Sequence, residues 1–207
     1  MANHVSERAN SSCAVAFTDA VKAAQAQRGS RHVYSMLEAK GGWPSEITPE
    51  LAEFLSQCDT FFLATASADG QPYVQHRGGP KGFLKPIGPR TLAVADYAGN
   101  HQYITLGNLS ENERAMLFLI DFETRTRVKV WGRARVVEDD PILLVRMVHP
   151  DYRAKAERVI VIDITAWDVN CRQHITARVR QDECERRIAK LEARIAELEM
   201  ERSTRAF

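Results

Sequence analysis

Residues 125–136 alternate with a period of two, and one face of the alternation is cationic. Arg125, Arg127, Lys129, Trp131, Arg133 and Arg135 take the odd positions, against Thr126, Val128, Val130, Gly132, Ala134 and Val136 on the even ones. In a strand this gives a ribbon with a small apolar inner face and a basic outer one. Five cations on one side repel each other unless water or an anion lies against them. The ribbon is therefore either a solvated outer face or one wall of an anion site. A second stretch bears on the choice. Gln75-His76-Arg77-Gly78-Gly79-Pro80-Lys81-Gly82 holds two fixed cations and a titratable imidazole among three glycines that let a ligand approach the backbone. That composition suits a phosphate or a planar anionic ligand, and equally a charged surface turn. Cys171 and His174 stand at Cys-x-x-His spacing, but zinc takes four ligands and His149, Cys184 and His101 offer no matching spacing, so no metal is expected.

The elements that must position these residues begin with helices. Phe17, Val21 and Ala24 share a helical face that Arg28-Gly29-Ser30 ends, and Ser30 is placed to cap a second helix carrying Val33, Met36 and Leu37. Thr48-Pro49-Glu50 opens a third, with Leu51, Phe54 and Leu55 as its buried stripe. Strand patterns follow over 61–67, 73–77, 91–96, 115–121, 125–136 and 158–167, with Asp69-Gly70 as a hairpin turn. The run 115–121 is continuously apolar, which predicts burial on both faces. Asp140-Pro141 caps a short helix holding Ile142, Leu143, Val145 and Met147, which His149-Pro150 stops. Six strands with short links and peripheral helices predict a small β-barrel in a mainly β protein. From Arg178 the pattern changes. Cys184, Ile188, Leu191, Ile195 and Leu198 recur at spacings of four and three, a heptad seam two to three repeats long. So short a helix is marginal alone and must pack on its own domain or on a twin, and the twin is the expectation. Orientation within the pair stays open.

Bulk properties narrow the class. With 207 residues, 44% hydrophobic content and a net charge of +1 from 28 basic and 27 acidic residues, the chain can bury a core and carries no global field toward nucleic acid or membrane. The basic signal is local, which favours a small anionic ligand. Cys13, Cys58, Cys171 and Cys184 are widely spaced and form no disulfide framework. No stretch approaches a membrane span, so a cytoplasmic location is expected.

Three stretches carry a resemblance: FFLATASADGQPYVQHRGGPKGFL, TLAVADYAGNHQYITLGNLSENERAMLFLID and RVKVWGRARVV, with WDVNCRQHI at 167–175. Over roughly residues 61–137 the chain resembles the pyridoxamine 5′-phosphate oxidase-like flavoproteins, the FMN-binding split-barrel proteins, in an uncharacterised branch. The resemblance implies a six-stranded split β-barrel of the FMN-binding type and a homodimer with FMN at the subunit interface. Together with the elements read above and the C-terminal coiled-coil-like helix of the heptad seam, it divides the chain into a disordered stretch (1–13), N-terminal helices (14–57), the FMN-binding domain (58–177) and a helix expected to dimerise (178–207).

It also implies a set of FMN-binding residues. Arg77 and Lys81, with His76 as an alternative first member, line the cofactor, and the amides of Gly78, Gly79 and Gly82 reach the ring's polar edge. Tyr97, Gly99, Asn100, Gln102 and Tyr103 match the loop that enters a phosphate-holding helix. Arg127, with Lys129 beside it, reaches FMN from the partner subunit. The chain departs from the oxidase proper in that loop, where an Arg-Lys pair gives way to His101 and Gln102, so the phosphate is expected to rely on Arg77, Lys81 and the basic ribbon. The stretch Asn170-Cys171-Arg172-Gln173-His174 is not the oxidase pattern either. The resulting expectation is a less specific flavin oxidoreductase that takes electrons from a nicotinamide or other small donor and passes them to a small acceptor. Gln173 and His174 are expected over the flavin face, with His174 donating a proton near neutral pH; a His174 that only satisfies a backbone carbonyl is the alternative. A non-catalytic barrel that senses through flavin, or holds haem or a deazaflavin, is the competing class.

Overall fold

The computed structural model describes residues 11–170 and 173–204. It divides into one unit of Met1–Ile120 with Arg127–Asn170 and a second of Asp121–Thr126 with Cys171–Phe207.

In the first unit, helix α1 (Asp19–Gln27) starts where the Thr18 hydroxyl accepts from Val21 N at 3.3 Å, and α3 (Pro49–Gln57) starts in the same way at Thr48 and buries Leu51 and Leu55. Helix α2 (Arg31–Ala39) lies between them, and Ser30 precedes it without the expected side-chain cap. Order reaches back further than expected: Ser12–Val15 form a 3-10 turn whose Cys13 is fully buried. Residues 1–10 of the expected disordered stretch lie outside the described residues.

Seven strands follow, not six: β1 (Thr60–Ala66), β2 (Pro72–Gly78), β3 (Leu84–Gly88), β4 (Thr91–Tyr97), β5 (Arg114–Asp121), β6 (Thr126–Val137) and β7 (Ala156–Asn170). They form one sheet in the order β2-β1-β5-β6-β7-β4-β3. The additional strand is β3, whose Pro86 and Gly88 argue against a strand in sequence. It sits at the sheet edge, where a residue without an N–H is tolerated. Between β4 and β5 lies α4 (Ile104–Glu111), and between β6 and β7 lies α5 (Pro141–Met147), whose Asp140 cap accepts from Leu143 N at 2.8 Å.

Alternation sorts the sheet into two faces. Phe61, Leu63, Leu92, Val94, Leu117, Leu119, Val128, Val130, Ile160 and Ile162 form the main core with Leu51 and Leu55 of α3. Ala93, Ala95, Val159 and Val161 pack on the other face against Met147 of α5. Strands β4 and β7 are thus buried on both faces. Strand β5 is not, against the reading of its apolar run: Ala115, Leu117 and Leu119 are buried, while Met116 and Phe118 are only half-buried. A continuous apolar run does not say what covers its second side.

Gly132 shows how tightly β6 is seated. The β6–β7 register shifts between Trp131 and Gly132, and a Cβ on Gly132 would stand 2.4 Å from the Asp163 carbonyl oxygen. On the outer face Trp131 stacks on Trp43 at 4.9 Å, and Phe17 packs on Trp43 at 4.8 Å. The Trp167 indole donates to Glu46 O at 2.8 Å. These contacts hold the N-terminal segment on the sheet.

In the second unit, α6 (Gln181–Thr204) buries none of its residues, and Ile188, Leu191, Ile195 and Leu198 are all exposed. No helix among the described residues is long and apolar enough to cross a membrane. Replacing Gly132 by Ala should lower the urea midpoint by the equivalent of about 1–3 kcal/mol with the m-value unchanged. An unaltered midpoint would show that the backbone at Asp163 yields freely.

Candidate functional site

Residues directly opposite in an antiparallel pair share a face, so the register fixes which side each candidate occupies. Arg77 lies opposite the buried Phe61 and Gln75 opposite Leu63. Both therefore project to the core side, while Val74 and His76 project to the other. Asp96 continues the face of Leu92 and Val94, and its partner Arg158 continues that of Ile160 and Ile162. Strands β2 and β4 stand near opposite ends of the sheet order, yet the Arg77 guanidinium donates to Asp96 Oδ1. The sheet therefore curls far enough to bring β2 near β4, and this ion pair spans the gap.

Asp96 is 5% exposed and also accepts from Arg158 Nη1 at 3.3 Å. Arg158 further reaches Glu138 at 2.8 Å and Glu157 at 3.2 Å. Desolvation alone would lower the Arg158 pKa, but the hydrogen bonds to Glu138 and Asp96 and the charges of Asp96 and Glu157 leave it raised.

Residues 98–103 and the start of α4 close over this cluster. His101 and Tyr103 adopt φ of 57° and 55°, the left-handed region that bulky side chains rarely occupy. Tyr103 precedes α4 without a side-chain cap bond, so no capping side chain meets the first backbone N–H groups of the helix. Thr105 donates to Gln75 Oε1 at 2.8 Å and Asn108 to Thr65 at 3.0 Å, pinning α4 to β2 and β1. The Arg158 guanidinium stands 5.6 Å from the Tyr103 ring centre, and His101 Nδ1 lies 2.6 Å from the Tyr103 hydroxyl. Burial raises the Tyr97 phenol pKa, partly offset by the backbone at His149.

Between these groups lies a cavity of about 50 Å³ lined by residues that include Gln75, Arg77, Asp96, Tyr97, Asn100 and Tyr103. Small-molecule pockets run to roughly 300–1,000 Å³, so this niche admits a group of a few atoms and no ring system. Arg77 Nε is buried here with no hydrogen-bond partner among the described residues.

Residues 47–171 match the family model described as pyridoxamine 5′-phosphate oxidase. The chain belongs to the pyridoxamine 5′-phosphate oxidase family. No curated protein matches it. Among solved structures it is similar to the HupZ protein of Group A Streptococcus, at 15% identity and a TM-score of 0.49, covering 64% of this chain and 99% of that one. A putative pyridoxamine 5′-phosphate oxidase of Lactobacillus delbrueckii is 23% identical with a TM-score of 0.46, covering 60% and 95%. An FMN-binding protein of Syntrophomonas wolfei is 12% identical with a TM-score of 0.47, covering 70% and 97%.

Of the residues expected to bind a cofactor in this family member, the niche gathers Arg77, Tyr97, Asn100 and Tyr103, with Gly99 and His101 beside them. Gln102 is exposed next to it, its N–H accepted by Asn100 Oδ1 at 3.1 Å. His76 is on the opposite face, 2.6 Å from the Thr60 hydroxyl, so Arg77 is the member that enters the site. Lys81 does not line the niche and instead reaches Gln57 at 3.4 Å. The amides of Gly79 and Gly82 bond Asp59 O and Cys58 O, so neither is offered to a ligand. Gly79 leaves room for the Phe83 ring, and Gly82 supplies a turn at φ 73°. Gly78 ends the β2 ladder, opposite Thr60.

Arg127 and Lys129 project from the face opposite Arg77, because Val128 and Val130 between them enter the main core. The ribbon is no bare anion wall: Lys129 pairs with Asp168 at 3.5 Å, Arg135 with Asp163 at 2.5 Å, and Arg133 with Glu113. Arg125 sits in the turn before β6 at φ 55°. Gln173 and His174 belong to the second unit, where both are exposed and His174 takes φ 61°. Cys171 and Arg172 lie outside the described residues.

Sequence reasoning missed Asp96, Arg158, Gln75 and Thr105. A signal was present for two of them, since Asp96 is the lone charge in the apolar run 91–97 and Arg158 directly precedes another. Asp96→Asn should cost about 3–5 kcal/mol in chemical denaturation by leaving two largely buried guanidiniums without their shared carboxylate. A cost below about 1 kcal/mol would show that Glu138 and Glu157 suffice.

Proposed function

We propose that this chain is a homodimeric flavoprotein of the split-barrel type that holds FMN by its phosphate in the Arg77 niche and passes electrons between a small donor and a small acceptor. The observation that carries this reading is that Arg77 and the start of α4, which has no side-chain cap bond from Tyr103, line one small space of about 50 Å³. A phosphate dianion suits a guanidinium and free helix N–H groups together. The residues fit that end of the cofactor: Arg77 and Arg158 supply charge, and Asn100 and Tyr103 shape the mouth.

The niche is too small for an isoalloxazine ring, which must lie beyond it. Arg127 and Lys129 can share a ligand with Arg77 only if a second chain presents them, since in one chain they face away. That constraint supports the dimer. Phe62, 37% exposed, Val74, 59% exposed, and the half-buried Met116 and Phe118 give the outer face an apolar surface suited to such an interface. When bound, FMN supplies reversible one- and two-electron chemistry, and the protein's part is placement and electrostatic environment. Because the stretch Asn170-Cys171-Arg172-Gln173-His174 is not the oxidase pattern, pyridoxamine phosphate is not the assigned substrate.

The test compares FMN with riboflavin, which lacks the phosphate. Arg77→Ala should weaken FMN by at least about tenfold, the scale of one charge-assisted hydrogen bond, and leave riboflavin within about twofold. Lys81→Ala should change neither. Equal losses for both flavins would move the phosphate elsewhere. A Soret band in the purified protein would replace FMN by haem, and a colourless chain that takes up no flavin would end the proposal.

A further inference from the structure

Helix α6 exposes an apolar stripe along a rod of 24 residues, about 36 Å long. With Ile188 and Ile195 as position a of a heptad, Cys184, Leu191 and Leu198 fall at position d. Ile at a with Leu at d is the pairing that favours two parallel strands. The flanking positions carry the stronger information. Position g holds Arg187 and Arg194, with Arg180 just ahead of the helix and Glu201 near its end, and position e holds Glu185, Glu192 and Glu199. In a parallel pair each g residue faces the e residue five positions on in the other helix. Arg180 then meets Glu185, Arg187 meets Glu192 and Arg194 meets Glu199, and every contact occurs twice by symmetry. In an antiparallel pair g faces g and e faces e, which sets arginine against arginine and glutamate against glutamate.

We infer that α6 pairs with α6 of a second copy of this chain, parallel and in register, its direction set by the arginine g and glutamate e rows. Within one chain Arg187 bonds Glu183 at 3.0 Å and Arg194 bonds Glu197 at 2.8 Å. Both pairs are exposed to solvent, so their long side chains are free to turn across the seam. The inference builds on the dimer reading but not on flavin binding.

In register, Cys184 of each chain lies opposite its own copy, and it is exposed in the single chain. The test treats the full-length protein, with Cys171 replaced by serine, with a diamide oxidant. The oxidant takes up the two electrons and two protons released as the two thiols join in a disulfide. Cys13 and Cys58 are buried and do not compete. The expected result is a covalent dimer that Cys184→Ser abolishes. R187E with R194E should slow its formation at least about tenfold, and adding E192R with E199R should restore it. The flavin spectrum should stay unchanged throughout. Absence of a covalent dimer, or cross-linking indifferent to the charge reversals, would overturn the inference. So would a disulfide between Cys184 of one chain and the thiol of an Ile195→Cys variant of another, since position d faces position a only when the helices run in opposite directions.

Discussion

A carboxylate with almost no access to water, gripped by one guanidinium from the neighbouring strand and one from four strands further along the sheet order, is the contact on which this architecture turns. Asp96 stands on β4, Arg77 on β2 and Arg158 on β7. In sheet order β2 and β4 are separated by four strands. No backbone ladder joins them among the described residues, so side chains must hold the curled sheet together at that gap. Thr105 and Gln75 add a second tie through α4. A buried ion pair stabilises little by itself, but losing one member is expensive, and that asymmetry makes the cluster a strut. The same gap is where the anion-sized niche opens. On the proposed reading one guanidinium serves both structure and binding, and a guest that drew on Arg77 would also act on the tie between β2 and β4.

The basic ribbon shows why charge patterning on a single strand misleads. Read along β6, five cations seem to ask for an external anion. Across the sheet, Asp163 and Asp168 of β7 and Glu113 ahead of β5 lie in reach of three of them. Those carboxylates are 20 to 39 residues from their partners in sequence, so no local window contains both signs. Such pairs add only about 0–1 kcal/mol each, yet they give three of the ribbon's five cations a carboxylate within the protein. On the inner side of the gap Arg77 pairs with Asp96 and keeps a buried Nε without a hydrogen-bond partner among the described residues.

Much of the fold was legible because its signals are local. Thr48-Pro49-Glu50 and Asp140-Pro141 marked helix starts that the cap hydrogen bonds bear out. Period-two alternation placed Val128 and Val130 inside and Lys129 outside. The misses follow from what alternation cannot carry. Strand β3 was hidden because its Pro86 breaks the rule for central strands and obeys the rule for edges, and only the sheet order says which applies. In the site, the loop over 97–103 was found by resemblance, while Arg158 was overlooked because it opens an otherwise apolar strand. Its meaning depends on the Asp96 register, a long-range fact.

Asp96 also limits what the niche can bind. A monoanion competing for Arg77 offers only the charge that Asp96 already supplies, and it arrives with a desolvation cost that the fold has already met for the carboxylate. A dianion would offer more acceptor oxygens but carry a larger desolvation cost and meet Asp96 and Glu157 in the same lining. A phosphate held here would therefore need the α4 amides as well as Arg77, since the lining carboxylates balance Arg77 and Arg158. Because the space ends after a few atoms, the rest of a phosphorylated guest has to extend outward, where this chain alone presents no enclosing wall. Arg127 and Lys129 face away on the far side of the same sheet. On the proposed reading only a second chain could bring such residues to the mouth, so a ligand shared by Arg77 and Arg127 and the dimer stand or fall together.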